Sequence, residues 1–323
     1  MDCGFWGKLN RPFFIQAPMA DVTDAAFRRI IVKYGKPDVL YTEFVSADGL
    51  ILADEKGREI LKKDLLFSDT ERPIVAQFFT SKPEIMEKAA ALAASLHFDG
   101  IDINMGCPDR GIEKQGAGAM LIKNPKLAQD LIAAAKRGAG ALPVSIKTRV
   151  GYNKNELDEW LPLLLSADPA AVIIHARTRK EMSKVPAHWD LITEAVEIRN
   201  RLKSKTLIIG NGDVMNLDEA KQRVVETSAD GVMLGRAIFG NPWLFSGHTP
   251  TLEEKLSVMV EHTKMFEELL PHKNFAIMKK HYKSYVEDFS GAKELRAELM
   301  ETRNADEIED KVNAFLKKKS SVV

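Results

Sequence analysis

The sequence predicts a (β/α)8 TIM barrel, an α/β fold, followed by a small C-terminal domain that is entirely helical. Apolar runs of strand length recur eight times, and each is followed by a stretch in which apolar residues have helical spacing. Eight such units in about 240 residues match the usual size of this barrel. The alternation ends near residue 247. We therefore expect the barrel to span residues 1–247 and the helical domain to span residues 248–323.

The predicted elements follow from apolar periodicity. The predicted strands are 13–17, 39–42, 74–78, 100–104, 144–148, 171–175, 206–210 and 231–234. The helical patterns among them include 82–96, 125–137, 155–166, 189–202 and 217–226, and those of the tail are 252–270, 276–288, 292–302 and 306–317. A doubly wound sheet is the main alternative. It would rarely repeat eight regular units, and it would carry a Gly-x-Gly-x-x-Gly turn after the first strand, whereas the turn after Ala17 has no glycine.

Composition narrows the classes of function. Basic and acidic residues both number 46, so the overall charge does not indicate a nucleic-acid partner, and we expect no DNA partner. Cys3 and Cys107 are the only cysteines, which excludes a disulfide framework or a cysteine zinc cluster, and no metal is expected. The N-terminus lacks a signal-peptide pattern, and no apolar run approaches the ~18 residues of a membrane span. We expect a soluble cytoplasmic protein with no membrane partner.

The segment 100–108 carries the most information about chemistry. It is typical of a short buried strand that ends in a polar loop containing Asn104 and Cys107. Side chains at the carboxyl ends of parallel strands face the active site of a barrel. A thiol there can donate a proton, because its ordinary pKa of about 8.5 lies near neutrality. The alternative is a buried cysteine in a tight turn. The residues at the neighbouring strand ends favour the functional interpretation.

The last two predicted strands lead into glycine-containing segments, 209–213 and 233–237. Loops at these positions commonly form the phosphate site of a barrel, because glycine lets backbone N–H groups approach an anion. The alternative is that these glycines only form turns. Lys147 could lie against a ring that gains negative charge, and His175 could donate to a ring carbonyl or a phosphate. Gln77 could bind the polar edge of a heterocycle. This combination is what flavin mononucleotide (FMN) requires.

Seven motifs at these strand ends resemble those of one family. They are residues 17–24, 76–78, 102–108, 147–149, 175–179, 210–213 and 235–237. In this order they resemble the tRNA-dihydrouridine synthases, flavoproteins that reduce the C5–C6 double bond of particular uridines in RNA. The resemblance covers residues 13–245 and continues more loosely into the tail. It implies FMN as the cofactor, NADPH as the reductant and a monomer.

The resemblance also implies roles for individual residues. The implied cofactor-binding residues are Ala17, Pro18, Met19, Gln77, Lys147, His175, Asn211, Gly212, Asp213, Gly235 and Arg236. Cys107 is implied as the general acid and Asn104 as a group that holds the target uracil. Arg149, Arg177 and Arg179 fall where the family contacts flavin or RNA, and we assign them to the substrate.

The chemistry of the reaction agrees with this resemblance. Reduction of uracil needs a hydride at C6 and a proton at C5, delivered to opposite faces of the ring. A reduced flavin can supply the hydride on one face and Cys107 the proton on the other. The sequence has no separate dinucleotide motif, so NADPH is expected to enter the same mouth in turn. The target uridine must be flipped out of the folded tRNA, which costs a few kcal/mol of unstacking.

The helical domain carries the predicted RNA-binding patch. Its residues are His272, Lys273, Lys279, Lys280, His281 and Lys283, and we assign Lys279, Lys280 and Lys283 to substrate binding. The alternative is a solvated helix face, because residues 271–323 hold 11 basic and 9 acidic side chains. Two other functions stay open. One is a small-molecule pyrimidine flavin oxidoreductase of the dihydroorotate or dihydropyrimidine dehydrogenase type, and the other is a non-catalytic RNA-binding protein. The target uridine, tRNA or ribosomal RNA as substrate, and NADPH or NADH as reductant are also left open.

Overall fold

The computed structural model describes residues 4–320, so Cys3 lies outside the described residues. Its centre is one sheet of eight parallel strands. The strands are β1 (Phe13–Gln16), β2 (Leu40–Ser46), β3 (Ile74–Phe79), β4 (Gly100–Met105), β5 (Val144–Arg149), β6 (Ala171–His175), β7 (Leu207–Asn211) and β8 (Gly231–Leu234). All eight predicted strands are therefore confirmed. β2 runs four residues beyond its predicted end at Thr42, because its pairing with β3 shifts register between Tyr41 and Phe44 and then continues.

The sheet closes into a barrel. Each strand pairs with the next from β2 to β8, and β8 pairs with β1. A single parallel bridge between Ile15 and Val39 joins β1 to β2. The Gln16 side chain supports this seam, since its Oε1 accepts a hydrogen bond from the Tyr41 N–H at 3.1 Å. The (β/α)8 barrel predicted from the sequence is thus the observed fold.

Helices surround the barrel and form the tail. They are α1 (Ala25–Gly35), α2 (Ala47–Leu52), α3 (Glu55–Lys63), α4 (Pro83–Ser95), α5 (Arg110–Lys114), α6 (Pro125–Ala139), α7 (Leu157–Ser166), α8 (Asp190–Arg201), α9 (Leu217–Thr227), α10 (Leu252–Leu269), α11 (Lys279–Tyr285), α12 (Ala292–Met300) and α13 (Ala305–Ser320). Their starts have local causes. Asp24 caps α1 through Phe27 N–H, and Thr251 forms a capping box with Glu254 at α10. No helix within residues 4–320 combines the length and apolar character needed to cross a bilayer.

The helix predicted over 276–288 differs from the observed structure. A 3-10 turn, Phe275–Met278, precedes α11, and α11 ends at Tyr285. The Asn274 side chain accepts from the Ala276 N–H and so begins the tighter turn. Val286 leaves helical geometry with φ of −110° and ψ of 73°, and Asp288 then adopts a left-handed backbone with φ of 62°, so the helix does not reach residue 288.

Two apolar clusters hold the molecule together. The smaller cluster fills the barrel interior with side chains such as Phe13, Ile15 and Ile173, and Trp6 closes the amino-terminal end by packing against Phe13. The larger cluster lies between the strands and the helices and continues into the tail. There, Phe27 of α1 stacks on His262 of α10, with 4.9 Å between ring centroids. The tail therefore packs directly on the barrel.

Candidate active site

A pocket opens at the carboxyl ends of the strands. Its lining residues are Ala17, Pro18, Met19, Lys147, His175, Arg177, Ser183, Asn211, Gly212, Asp213, Val214, Met215, Met233, Gly235 and Arg236. The pocket brings together every predicted cofactor residue except Gln77. The individually assigned cofactor residues did not include Ser183, Val214, Met215 or Met233, although Met233 lies in the predicted segment 233–237, and the lining residue Arg177 was assigned to the substrate. Alternation along β8 could have identified Met233, because it lies two residues before Gly235 and so faces the same side of the strand.

Lys147, two residues before the end of β5, lines this pocket. Its ammonium has no hydrogen-bond or ion-pair partner among residues 4–320. Burial and the neighbouring Arg149 together lower its pKa to about 8, against the opposing effect of Asp102. A buried cation without a protein partner is unfavourable unless a ligand supplies one. The position therefore suits an electron-rich or anionic ligand.

His175, one strand further round, lies in the same electropositive environment. Burial and the nearby cations, first among them Lys147, hold its pKa well below the ordinary value. The ring is therefore neutral at physiological pH. Its Nε2 lies 3.2 Å from Nη1 of Arg177. His175 can consequently exchange a hydrogen bond with a ligand without adding charge.

Asp213 organises the cations at the opposite wall of the pocket. It accepts hydrogen bonds from Arg177, from the Ala187 N–H at 3.0 Å and from Nη2 of Arg236 at 2.5 Å. Burial raises the pKa of Asp213, but these hydrogen bonds outweigh it and lower the pKa below the ordinary value. Asp213 is thus ionised and directs Arg236, whose side chain is 60 % exposed, towards the mouth.

Two glycines shape the wall. Gly212 has φ of 134°, and a Cβ there would lie 2.9 Å from the Ala187 Cβ. A Cβ on Gly235 would project beside Ala17 and Met19, at 3.6 and 3.7 Å from their nearest atoms. A side chain at position 235 would therefore occupy the pocket itself. Glycine keeps that space free for a ligand.

The loop after β4 holds Cys107 in place. Oδ1 of Asn104 accepts hydrogen bonds from the N–H groups of Gly106 at 3.2 Å and Cys107 at 2.9 Å. The Cys107 carbonyl accepts from the Ala119 N–H at 2.9 Å. Burial raises the pKa of the Cys107 thiol, so the thiol is protonated at neutral pH. This is the state that a proton donor needs.

The three predicted substrate arginines are largely occupied by protein groups. Arg149 donates to the backbone carbonyls of Gly106, Thr178 and Met182. Arg177 donates to the Val185 carbonyl and to Asp213, and Arg179 forms a two-pronged ion pair with Glu113. These contacts organise the loops after β4 and β6. Direct contact of these arginines with the substrate stays a prediction.

Gln77 lies beneath the pocket rather than on its wall. Its side chain is 0 % exposed and binds Asp102 and Asn104. Its predicted contact with the cofactor stays a prediction. The carboxyl group of Asp102, which the sequence reasoning did not select, is fully buried among polar side chains from three strands.

The predicted basic patch on the tail is partly wrong. Lys273 is 11 % exposed and binds Glu43 at 2.6 Å and Asp64 at 3.0 Å, and His281 is completely buried. Tertiary packing has therefore taken these two side chains away from solvent.

Three lysines of the tail stay near the surface. Lys279 donates to the Met300 carbonyl at 2.5 Å, and Lys280 lies 3.8 Å from Asp21. Lys283 is exposed and has no partner within the described part of the chain. Their contact with RNA stays a prediction.

The fold and the pocket define a (β/α)8 barrel whose carboxyl-face pocket is suited to an electron-rich or anionic ligand. The family model for dihydrouridine synthase (Dus) matches residues 15–320. The chain belongs to this family. It is 40 % identical over 322 residues to "Probable tRNA-dihydrouridine synthase 2" of Bacillus subtilis (strain 168), with 97 % of each chain covered. It is 39 % identical to "Probable tRNA-dihydrouridine synthase" of Staphylococcus epidermidis (strain RP62A), with 96 % of each covered.

Solved structures resemble the chain in fold. Histamine dehydrogenase from Rhizobium sp. 4-9 superposes with a TM-score of 0.55 at 13 % identity, covering 78 % of this chain and 48 % of that one. A 2-naphthoyl-CoA reductase complex gives a TM-score of 0.54 at 11 % identity, covering 72 % and 49 %. At these identities the similarity supports the barrel architecture alone.

Proposed function

We propose that this chain is a tRNA-dihydrouridine synthase that reduces the C5–C6 double bond of specific uridines, with FMN as cofactor, NADPH as reductant and Cys107 as proton donor. Membership of the dihydrouridine synthase family and the names of its relatives support this function. One structural observation carries it. Lys147, a partly buried lysine with no partner among residues 4–320, lines the pocket. The protonated Cys107 thiol lies close enough that each influences the pKa of the other, although Cys107 itself lines the adjoining cavity with Arg179 and Met182.

The pocket fits FMN. Lys147 is a cation that lacks a partner among the described residues, and Arg236 adds a second cation at the other wall. Lys147 and His175 would hold the ring side, and Asn211, Gly212 and Gly235 would hold the ribityl-phosphate end together with Arg236. When bound, FMN supplies the hydride that adds to C6 of uracil. Ala17, Pro18 and Met19 would form the apolar wall against the ring.

Cys107 would supply the proton. Its S–H bond breaks as the new C–H bond forms at C5, and the electron pair stays on sulfur. Lys147 and Arg149 both favour the resulting thiolate, since both lower the pKa of this thiol against the effect of burial. Asn104 has one amide N–H left after its bond to Gln77, and that N–H would hold a uracil carbonyl.

The tail would contact the RNA backbone. Residues 248–323 would form the RNA-binding domain, with Lys283 as its strongest candidate, supported by Lys280 and Lys279. The uridine would be flipped out of the stack to reach the mouth. We propose that the protein acts as a monomer, because every residue assigned to the cofactor and the base comes from one chain.

The test is a reaction with defined components. Purified protein should absorb as a flavoprotein and should form dihydrouridine, measured by nucleoside mass spectrometry, in tRNA from cells that lack this gene. Parallel reactions with NADH, ribosomal RNA, free uracil and dihydroorotate define the reductant and the substrate. Activity on the free pyrimidines with none on tRNA would select the small-molecule oxidoreductase instead. A colourless protein that cannot be loaded with FMN would contradict the cofactor assignment.

A further inference from the structure

A chain of buried hydrogen bonds leads from the middle of the barrel to the Cys107 loop. Oδ2 of Asp102 accepts from Nε2 of Gln77 at 2.6 Å. Oε1 of Gln77 accepts from Nδ2 of Asn104 at 3.1 Å. Oδ1 of Asn104 then accepts from the N–H of Cys107 at 2.9 Å and from that of Gly106. We call this chain the amide relay. Its three side chains are at most 5 % exposed.

The two ends of the relay determine its polarity. At the loop end, a backbone N–H can only donate. At the barrel end, an ionised carboxylate can only accept. The amides of Gln77 and Asn104 could each point either way in isolation, but only one orientation of both satisfies the two ends. Reversing an amide would set donor against donor in a buried place, where each unmade hydrogen bond costs about 1–3 kcal/mol.

We propose that Asp102 is a positioning residue for the proposed uridine reduction. By orienting Gln77, and through it Asn104, Asp102 holds the backbone of Cys107 where the thiol can reach C5 of the bound uracil. This inference rests on the proposed function for its consequence, although the effect on the loop itself can be measured without catalysis.

The position of Asp102 is costly for a purely structural residue. Barrel interiors are filled mainly by branched apolar side chains, as Ile15 and Ile173 are here. Asp102 is completely buried, and burial raises its pKa to about 7. An apolar side chain of similar size would avoid the desolvation of a carboxylate. What the carboxylate adds is an acceptor of defined direction.

The relay also withstands protonation of Asp102. The other oxygen, Oδ1, accepts from the Ser145 hydroxyl at 2.6 Å, and that hydroxyl lies 3.3 Å from the Tyr41 hydroxyl. A proton on Oδ1 could be donated to Ser145, whose own proton would turn to Tyr41. Oδ2 would still accept from Gln77, so the orientation of the amides survives on both sides of neutral pH.

Two substitutions distinguish the effect of the hydrogen-bond acceptor at position 102 from the effect of its negative charge. In Asp102→Asn, Oδ1 can accept from Gln77 while Nδ2 donates to Ser145, so the relay persists without the negative charge. In Asp102→Leu, the acceptor is lost and Gln77 is free to turn. Loss of the charge also alters the surroundings of Lys147. All assays are therefore run with saturating FMN.

The first measurement is turnover on tRNA. We expect Asp102→Leu to lower kcat roughly 100-fold, the order expected when a reacting group is misplaced by about 1 Å. We expect Asp102→Asn to retain most of the wild-type kcat, and reduction of the flavin by NADPH to be unchanged in both. Equal impairment of the two variants would mean that charge, not direction, matters, and would overturn the proposal.

The second measurement does not need the proposed activity. In a Cys3→Ser background, the rate of Cys107 alkylation by iodoacetamide reports the position of the loop. We expect Asp102→Leu to change this rate and Asp102→Asn to leave it as in the parent. A wild-type rate and wild-type turnover in Asp102→Leu would overturn the proposal. If the parent itself does not reduce tRNA, the proposed function fails, while the alkylation rates still decide the positioning.

A third variant covers the case in which Asp102→Leu does not fold. Gln77→Met breaks the same relay one link nearer the loop with a side chain of similar length. We expect it to change the alkylation rate of Cys107 relative to the Cys3→Ser parent, since the amide of Asn104 then loses its acceptor. An unchanged rate in folded Gln77→Met would overturn the relay.

Discussion

The barrel mouth and the joint between barrel and tail each hold a lysine that is largely withdrawn from solvent. The pKa of the lysine in the mouth is lowered, whereas the pKa of the lysine at the joint is raised. Burial, with a smaller contribution from Arg149, lowers the pKa of Lys147 in the mouth to about 8. At the joint, burial also acts to lower the pKa of Lys273, but Glu43 and Asp64 outweigh it and raise the pKa above its ordinary value. The difference lies in the partners that the protein provides.

This comparison separates a binding site from a structural contact. Lys273 has both of its carboxylates within 3.0 Å, so its charge is satisfied by the fold. Lys147 has no partner among residues 4–320, so its charge is satisfied only by what enters the mouth. We therefore expect substitutions in the mouth to change function with little loss of stability, and substitutions at the joint to do the reverse.

The largest effect is expected in the mouth, from Cys107→Ala. The variant should retain FMN and tRNA affinity but lose about 10²–10⁴-fold in turnover, because only the proton donor is removed. Flavin reduction by NADPH should not change, and neither should the melting temperature. Stopped-flow spectroscopy separates the reductive step from uridine reduction. Wild-type turnover in this variant would remove Cys107 from the mechanism.

The next effect is at the joint, from Lys273→Met. It leaves Glu43 and Asp64 without their cation, and breaking a buried pair in this way costs about 3–5 kcal/mol of the free energy of unfolding. Urea denaturation measures the loss. Lys33→Met is the matched control, because Lys33 joins Glu261 across the same joint but is 56 % exposed, and such pairs contribute only about 0–1 kcal/mol. Equal losses in the two variants would contradict the comparison.

The same contrast explains what the sequence could and could not predict. The eight strands follow from periodicity, and the ends of parallel strands indicate which side chains face the mouth, while the cofactor roles of those side chains came from the family resemblance. The ion-pair and hydrogen-bond partners of a side chain do not follow from periodicity. Lys273 looked like a surface cation because Glu43 lies 230 positions earlier in the chain. Asp102 was overlooked because its partners Gln77 and Ser145 come from neighbouring strands.

A smaller effect is expected for Lys147→Met. Flavin affinity should fall, while the flavin-free protein should become more stable by on the order of 1 kcal/mol, because a partly buried charge with no partner among the described residues is removed. The direction in which stability changes with pH follows from the lowered pKa of Lys147. Unfolded lysine keeps its proton up to about pH 10.5, whereas folded Lys147 loses it near pH 8, so wild-type stability should rise across that interval. Melting curves of FMN-free wild type and variant at pH 7 to 10 test this, and the rise should be weaker in the variant.

The smallest effect is expected on the tail, where the lysines are neither deeply buried nor fully paired. Neutralising Lys279, Lys280 and Lys283 should weaken tRNA binding without changing flavin content, since the mouth is untouched. Lys279 already donates to a carbonyl and Lys280 lies near Asp21, so we expect the salt dependence to flatten by about one to two phosphate contacts, each contributing a log–log slope of roughly 0.7–0.9. Lys283→Gln alone should account for about half of that change, because Lys283 is exposed and unpaired within the described residues. The test is tRNA binding by wild type and variants at several salt concentrations. Parallel salt slopes would mean that the lysines form a solvated helix face and that RNA docks elsewhere.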